Sequence, residues 1–567
     1  MKVNDIVIEN GALVNVCTSE IYGANVGIKS GKITCVGDKK MSAEETVNAR
    51  GYYLVPGLID AHIHIESSMI TLSEFARTVI PHGTAAIVTD PHEIANVAGI
   101  EGIKVLVEES RKIPLKVYFT IPSCVPSTPF ETSGAEIGIK EIEEMLSWKE
   151  VVGLGEVMNF HGVINSDPEV LEKIRVVKEM RGVVDGHCPG LSGEALNAYI
   201  SAGVQSDHES TTAGEGLEKI RSGMRLMIRE GSAAKNLGSL SGIFDFPGEY
   251  AGRCMLATDD RHPGDLISEG HMDGIIRKSV SGGMDPVDAI KLATINPAEY
   301  FHLENSGYIA PGKDADILFV SDLEDFRVEK VMIKGKITAE KGRFISKLLS
   351  FPYPGSVTNT VNLKRVSPGS FNILAGKENK VDVRVIGVIG GEILTDERIE
   401  CLQVRDNKIL PDPGRDVARI AVAERHKGTG NIGLGFVSGF GLKKGAFASS
   451  VAHDSHNIIV VGSNENDMCD AVNKIIETRG GMVVAHNREI HCLKLPIAGL
   501  ISDMKAEEVN EKLGVLHREV KKLGVKMESP FMALSFLALP VIPRLKLTDK
   551  GLFDVERFKF VDLVVNL

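Results

Sequence analysis

The stretch Leu54-Val-Pro56-Gly-Leu-Ile-Asp60-Ala-His62-Ile-His64 is an apolar run that closes on two histidines. Side chains two apart on a strand point to one face, so both imidazoles can reach a single metal ion. Paired histidines also occur on exposed strands, and other strand ends must decide between the readings. Working outward, apolar runs recur at intervals of about twenty to thirty residues, the spacing of one strand plus one helix. They cover 54–63, 84–89, 115–121, 151–157, 182–187, 202–207, 224–228 and 254–258. Helix starts fall between several of them, notably Ser166-Asp167-Pro168-Glu169, which opens a helix running to Met180, and Asp285-Pro286 after the last strand. Eight such repeats predict an α/β fold, a (β/α)8 TIM-type barrel with catalytic groups at the carboxyl ends of its strands.

Four of the other runs end in ligand-type residues: Gly155-Glu156, Gly186-His187, Asp207-His208 and Thr258-Asp259-Asp260. Two histidines, one glutamate, two further histidines and one aspartate exceed what one four-coordinate ion needs and suit two ions sharing a carboxylate. The assignment expected is His62, His64 and Asp259 on one ion, His187 and His208 on the other, and Glu156 bridging both. Imidazole and carboxylate ligation suits manganese, iron(II) or zinc, without selecting among them.

The flanks read differently. Short strands broken by turns at Asn10-Gly11 and Ser30-Gly31 return in texture at Asp316 to Val320 and Val328 to Lys334. This predicts a small discontinuous β-sandwich domain from 1–50 and 305–345 around a barrel of 51–304. Beyond Pro352, Pro354 and Gly355, mixed strands and helices, with helices over 465–478 and 505–522, predict a C-terminal α+β domain of 346–567. The length of 567 residues accommodates roughly three or four domains.

Composition narrows the class. With 64 basic and 76 acidic residues the net charge is −12, and no basic run is present to bind a nucleic-acid backbone. The longest apolar stretch, 531–542, contains Ser535 and Pro540 and is too short to span a membrane. The start MKVNDIVIENG lacks a signal-peptide core, so the mature chain is expected to begin there. Eight scattered cysteines without a C-x-x-C pair point to a reducing cytoplasm. Met- and Leu-rich segments leave surface for a homodimer.

Pro56 to His64, His187, His208, Thr258-Asp259 and the later Pro311-Gly-Lys-Asp314-Ala-Asp316-Ile-Leu resemble the amidohydrolase superfamily. Within it, His64-Ile-Glu66-Ser-Ser68-Met69, Thr89-Asp90-Pro-His92-Glu93-Ile and Thr258-Asp-Asp-Arg261-His262-Pro closely resemble the bacterial and archaeal adenine deaminase family, over essentially the whole chain. Many cyclic amidohydrolases carry a carboxylated lysine at the fourth strand, where this chain has Glu156. That departure counts against dihydroorotase and hydantoinase, and separates the chain from single-metal enzymes acting on adenosine. The resemblance implies two divalent ions, manganese or iron(II) and with zinc admissible, and conversion of adenine and water to hypoxanthine and ammonia in purine salvage. The alternatives are hydrolysis of another cyclic amidine or amide, and a non-catalytic metal-binding scaffold.

For the implied chemistry, hydroxide bridging the metals attacks C6, and Asp259 carries its proton to the departing amine. Glu156 and Asp259 are therefore the expected catalytic residues. Asp260 faces the other way on a strand and reads as a loop carboxylate, or a partner of Arg261. Asp90, His92 and Glu93 end the second strand and are candidates to bind the purine edge, donate a proton or hold a further metal. Their bland reading is a capped helix start at Asp90-Pro91. Glu66 and Ser67 are weaker candidates. In the C-terminal region, His453-Asp454-Ser455-His456 reads as substrate-binding, as an accessory metal site, or as a loop held by Asx-type bonds. Gly428-Thr-Gly430-Asn-Ile-Gly433 lacks the strand-turn-helix context of a dinucleotide site and reads as a loop. His82, His161, His271 and His302 read as core or surface histidines, not ligands.

Overall fold

The computed structural model describes residues 4–245, 250–376, 378–390 and 392–565. Met1 to Val3, part of the reading of the amino terminus, lie outside them. The chain divides into two compact units: Met1–Pro91, Leu106–Ser123 and Gly138–Phe351 form the first, and His92–Val105, Cys124–Ile137 and Pro352–Leu567 the second.

The first unit is organised around parallel strands. We label them β1 Leu58–His64, β2 Thr84–Thr89, β3 Lys116–Ile121, β4 Val151–Val157, β5 Val183–Gly186, β6 Ser206–Asp207, β7 Arg225–Arg229 and β8 Cys254–Ala257, which resumes at Asp259–Asp260. Strands β1 to β5 pair in chain order, and β6, β7 and β8 form a second parallel arc. The Gln205 N–H donates to Val184 O, linking β5 to the approach to β6. Asp259 and Asp260 pair in parallel with Ile63 and His64, so the far end of β8 returns to β1. This is the curled parallel sheet of a TIM-type domain.

Helices occupy the connections for local reasons. Thr71 and Thr212 cap Leu72–Val79 and Ala213–Arg221 with their side-chain oxygens, and Asp167 caps Pro168–Glu179 by accepting from Glu169 N and Val170 N. Along β1 the alternation sends Ile59 and Ala61 into an apolar cluster with Ala86, Val88, Met227, Met255 and Ala257, leaving Asp60, His62 and His64 on the opposite face.

Amino-terminal strands join Ile317–Val320, Val328–Ile333, Lys336–Glu340 and Arg343–Phe344 in a nine-stranded sheet. Its junction is Ile317–Val320, antiparallel to Tyr53–Pro56, which leads directly into β1.

The second unit holds a nine-stranded, mostly antiparallel sheet, from Lys408–Ile409 at one edge to Glu489–Lys494 at the other. Helix Glu465–Thr478 lays Met468, Ala471, Val472 and Ile475 on its core. The unit also takes His92–Val105 and Cys124–Ile137, which in sequence lie between strands of the first unit. Their ties are specific. Ser133 Oγ and Gly134 N–H donate to Asn96 O at 2.9 and 2.8 Å. Thr132 N–H donates to Asp549 at 2.9 Å, and the Phe130 ring lies 4.6 Å from that of Phe553. Among the described residues no helix is long and apolar enough to cross a membrane.

Candidate metal centre

Six side chains from the carboxyl ends of β1, β4, β5, β6 and β8 converge in the first unit. His62 and His64 leave β1 on one face, with their Nε2 atoms 3.1 Å apart. Glu156, near the end of β4, turns Oε1 to His64 Nε2 at 3.3 Å and Oε2 to His187 Nδ1 at 2.5 Å and His208 Nε2 at 3.2 Å. Asp259 places Oδ1 3.2 Å from His64 Nε2 and 3.7 Å from His62 Nε2. The His208 ring stacks on His62 with centroids 4.2 Å apart. All but His187 are buried.

The donor set fits divalent ions. Ligands about 2.1 Å from one ion at tetrahedral angles stand about 3.4 Å apart, close to these separations. Glu156 belongs to a cluster with His62 and His64 and to another with His187 and His208. One carboxylate thus faces both groups. His64 Nδ1 lies 2.9 Å from Asp90 O and carries a proton, so Nε2 is the nitrogen left to face a metal ion.

Charge in this buried cluster is balanced internally. Burial disfavours ionising Glu156, yet His187, His208 and His64 hold its carboxyl well below the usual range. Burial likewise opposes the Asp259 carboxylate, and the His64 hydrogen bond with the Arg229 charge outweighs it. His62 runs the other way, held well below the usual imidazole range by burial and by His208 and His64. It is therefore a neutral, ligand-ready ring at neutral pH.

Three residues that the strand-end reading passed over support the cluster. Arg229 Nη1 donates to Asp259 Oδ2 at 2.9 Å, and its Nη2 donates to Glu209 Oε2 at 2.9 Å. Arg229 ends β7 one position beyond the apolar run, and Glu209 follows His208, so extending each run by a residue would have found both. Asp60 accepts from Thr258 N–H at 3.1 Å and Thr258 Oγ1 at 2.5 Å, and lies 3.1 Å from His271 Nε2. His271 is thus a buried structural histidine.

The remaining candidates are placed as follows. Asp90 does not cap the helix after it. Its Oδ2 accepts the Glu156 N–H at 3.1 Å, and the helix starts at His92 with no side-chain cap. A Cβ on Gly155 would lie 2.0 Å from that Asp90 oxygen, so glycine is what lets the carboxylate approach. Asp260 accepts from Ser67 Oγ rather than pairing with Arg261, which instead reaches Glu269 at 3.2 Å. His92, Glu93, His453 and His456 belong to the second unit, where Glu93 meets both His453 and His456. Of the Gly428 to Gly433 motif, residues 428–431 form a loop without regular structure, while Ile432 and Gly433 open the strand Ile432–Ser438.

Comparison with known proteins adds independent findings. Residues 53–338 match the amidohydrolase family, and residues 392–559 match the adenine deaminase C-terminal domain. The chain is 48% identical to an adenine deaminase of Desulfatibacillum aliphaticivorans, over 99% of this chain and 97% of that one. It is 47% identical to an adenine deaminase of Archaeoglobus fulgidus over 99% and 95% of the two chains. With an adenine deaminase of Moorella thermoacetica the identity is 44% over 99% and 96%.

Proposed function

Because the chain belongs to the adenine deaminase family of amidohydrolases, we propose that it hydrolyses adenine to hypoxanthine and ammonia. One observation carries this reading beyond the likeness: His62, His64, Glu156, His187, His208 and Asp259 converge in one cluster. We read the curled sheet that presents them as a (β/α)8 barrel, supported by eight parallel strands with helices in their connections.

We assign His62, His64 and Asp259 to one divalent ion, His187 and His208 to a second, and Glu156 to both. Manganese or iron(II) suits this set, and zinc is admissible. When bound, the ions lower the pKa of water from ~16 towards ~7, making a nucleophile at neutral pH.

The chain's own groups handle the protons. Arg229 occupies Asp259 Oδ2 and keeps the carboxylate ionised, leaving Oδ1 turned into the cluster. Asp259 accepts a proton from the attacking water and returns it to the amino nitrogen at C6, which leaves as ammonia while oxygen stays on the ring. Asp90 acts at one remove, fixing the Glu156 backbone through its side chain and the His64 tautomer through its carbonyl. Eight cysteines free of disulfides support a reducing cytoplasm as the place of work.

The experiment is ammonia release from adenine by the manganese- or iron(II)-loaded protein. Activity lost to a chelator and regained on adding metal is the expected result. A folded, metal-replete sample that leaves adenine intact overturns the reading.

A further inference from the structure

The second unit contains its own convergence of metal-type donors. Glu93 stands in the first turn of helix His92–Ser110, and His453 and His456 lie in the loop after strand Ala446–Ser449. They share no residue with the six-residue centre. His453 Nδ1 is 2.7 Å from Glu93 Oε1, and His456 Nε2 faces Glu93 Oε2. All three side chains are more than nine-tenths buried. Neither Glu93 Oε2 nor His456 Nε2 has a hydrogen-bond partner of acceptable geometry. Unmatched buried polar atoms are costly, and groups pointing at one another around a shared point are matched most simply by a cation.

The loop is built to hold these rings still. The His453 ring stacks on Phe536 with centroids 4.8 Å apart, and its backbone N–H donates to Ser535 Oγ at 3.2 Å. The fully buried Arg425 donates to His456 O and, at 2.9 Å, to Ala498 O. Asn457 Nδ2 donates to Thr132 O at 2.8 Å. Asp454, buried in the same loop, adds a second carboxylate to the neighbourhood.

We propose that Glu93, His453 and His456 form an additional metal site that takes a divalent first-row transition ion. Two imidazoles and one carboxylate leave open positions on such an ion, and the pattern suits manganese, iron(II) or zinc. Ala452 N–H donates to His456 Nδ1 at 3.1 Å, which places the proton of the neutral ring on Nε2. Ligation at Nε2 moves that proton onto Nδ1 with loss of the Ala452 bond, and because protons compete with the ion for the two rings and the carboxylate, binding weakens in acid.

The test counts ions in the full-length protein. Manganese-loaded, desalted protein is assayed by elemental analysis beside Glu93→Gln, His453→Asn and His456→Asn, with circular dichroism to certify folding. Each variant is expected to hold one ion fewer than the parent. Cobalt(II) is also titrated into a His62→Ala/His208→Ala protein, whose first centre is disabled. A visible d–d band that appears there and disappears on adding His456→Asn supports the site, and that readout does not require the Glu93 variant to fold. Equal metal content in parent and folded variants, or no cobalt band dependent on His456, overturns it.

Discussion

The Arg229 guanidinium donates to Asp259 Oδ2 at 2.9 Å while the other carboxylate oxygen faces His64 at 3.2 Å. Asp259 is thus held from outside the cluster through one oxygen while the other faces into it. Its backbone lies at φ 59°, in the left-handed region that a non-glycine residue adopts at some cost. Arg229→Gln should leave metal content near the parent level and lower kcat about ten- to a hundredfold, because the carboxylate loses its orientation and its counter-charge. Steady-state kinetics with metal analysis on the same sample check this; an unchanged kcat contradicts the role.

Asp259 and Glu156 should fail differently. Asp259→Asn keeps the shape but cannot take up a proton, and is expected to lose about 10²–10⁴ in kcat with little change in thermal midpoint. Glu156→Ala removes the carboxylate shared by both imidazole groups, so metal and rate should fall together. Full occupancy by both ions in Glu156→Ala shows that the carboxylate is not shared.

Gly155→Ala tests the closeness of two strands. The added methyl would stand 2.0 Å from Asp90 Oδ2, and the clash is with a carboxylate that already holds the Glu156 N–H. Destabilisation of about 1–3 kcal/mol is expected from such overpacking, with loss of activity. Chemical denaturation measures the first, and a parent-like midpoint would show that the carboxylate yields freely.

Lys546 provides a pH-dependent prediction in the second unit. It is fully buried and donates to Ile393 O at 3.0 Å, and burial lowers its pKa to about 7. Between that value and the ordinary lysine value near ~10.4, the unfolded chain binds a proton that the folded chain does not. Stability from this group is therefore present at high pH and is lost as pH falls towards about 7. Each pH unit in that window is worth about 1.4 kcal/mol. Lys546→Met should raise the thermal midpoint at neutral pH, and its advantage should shrink as pH approaches ~10. An advantage independent of pH contradicts the assignment.

How much of this the sequence could say depended on range. Period-two alternation at His62 and His64 and the ends of apolar runs at Glu156, His187, His208 and Asp259 are local signals, and they located strands that the fold then curls together. Helix Glu465–Thr478 was equally plain. Asp90 left two readings open, because Asp-Pro is a strong helix-start signal and nothing nearby announces that its carboxylate accepts from a residue on β4. The same holds for Asp60 and Thr258, and for the tie of Thr132 to Asp549 that assigns 124–137 to the second unit. Such contacts join distant positions through side-chain hydrogen bonds, which leave no periodicity to read.

Asp60 has a further consequence. Its carboxylate fastens the first parallel strand to the last, two positions before His62 and opposite Thr258, which precedes Asp259. A chain emerging in order during synthesis therefore carries its histidines for some time before the clasp can shut. Cations met in that interval find His62 and His64 without the donors of the later strands, and the six-residue cluster is complete only with the seam itself.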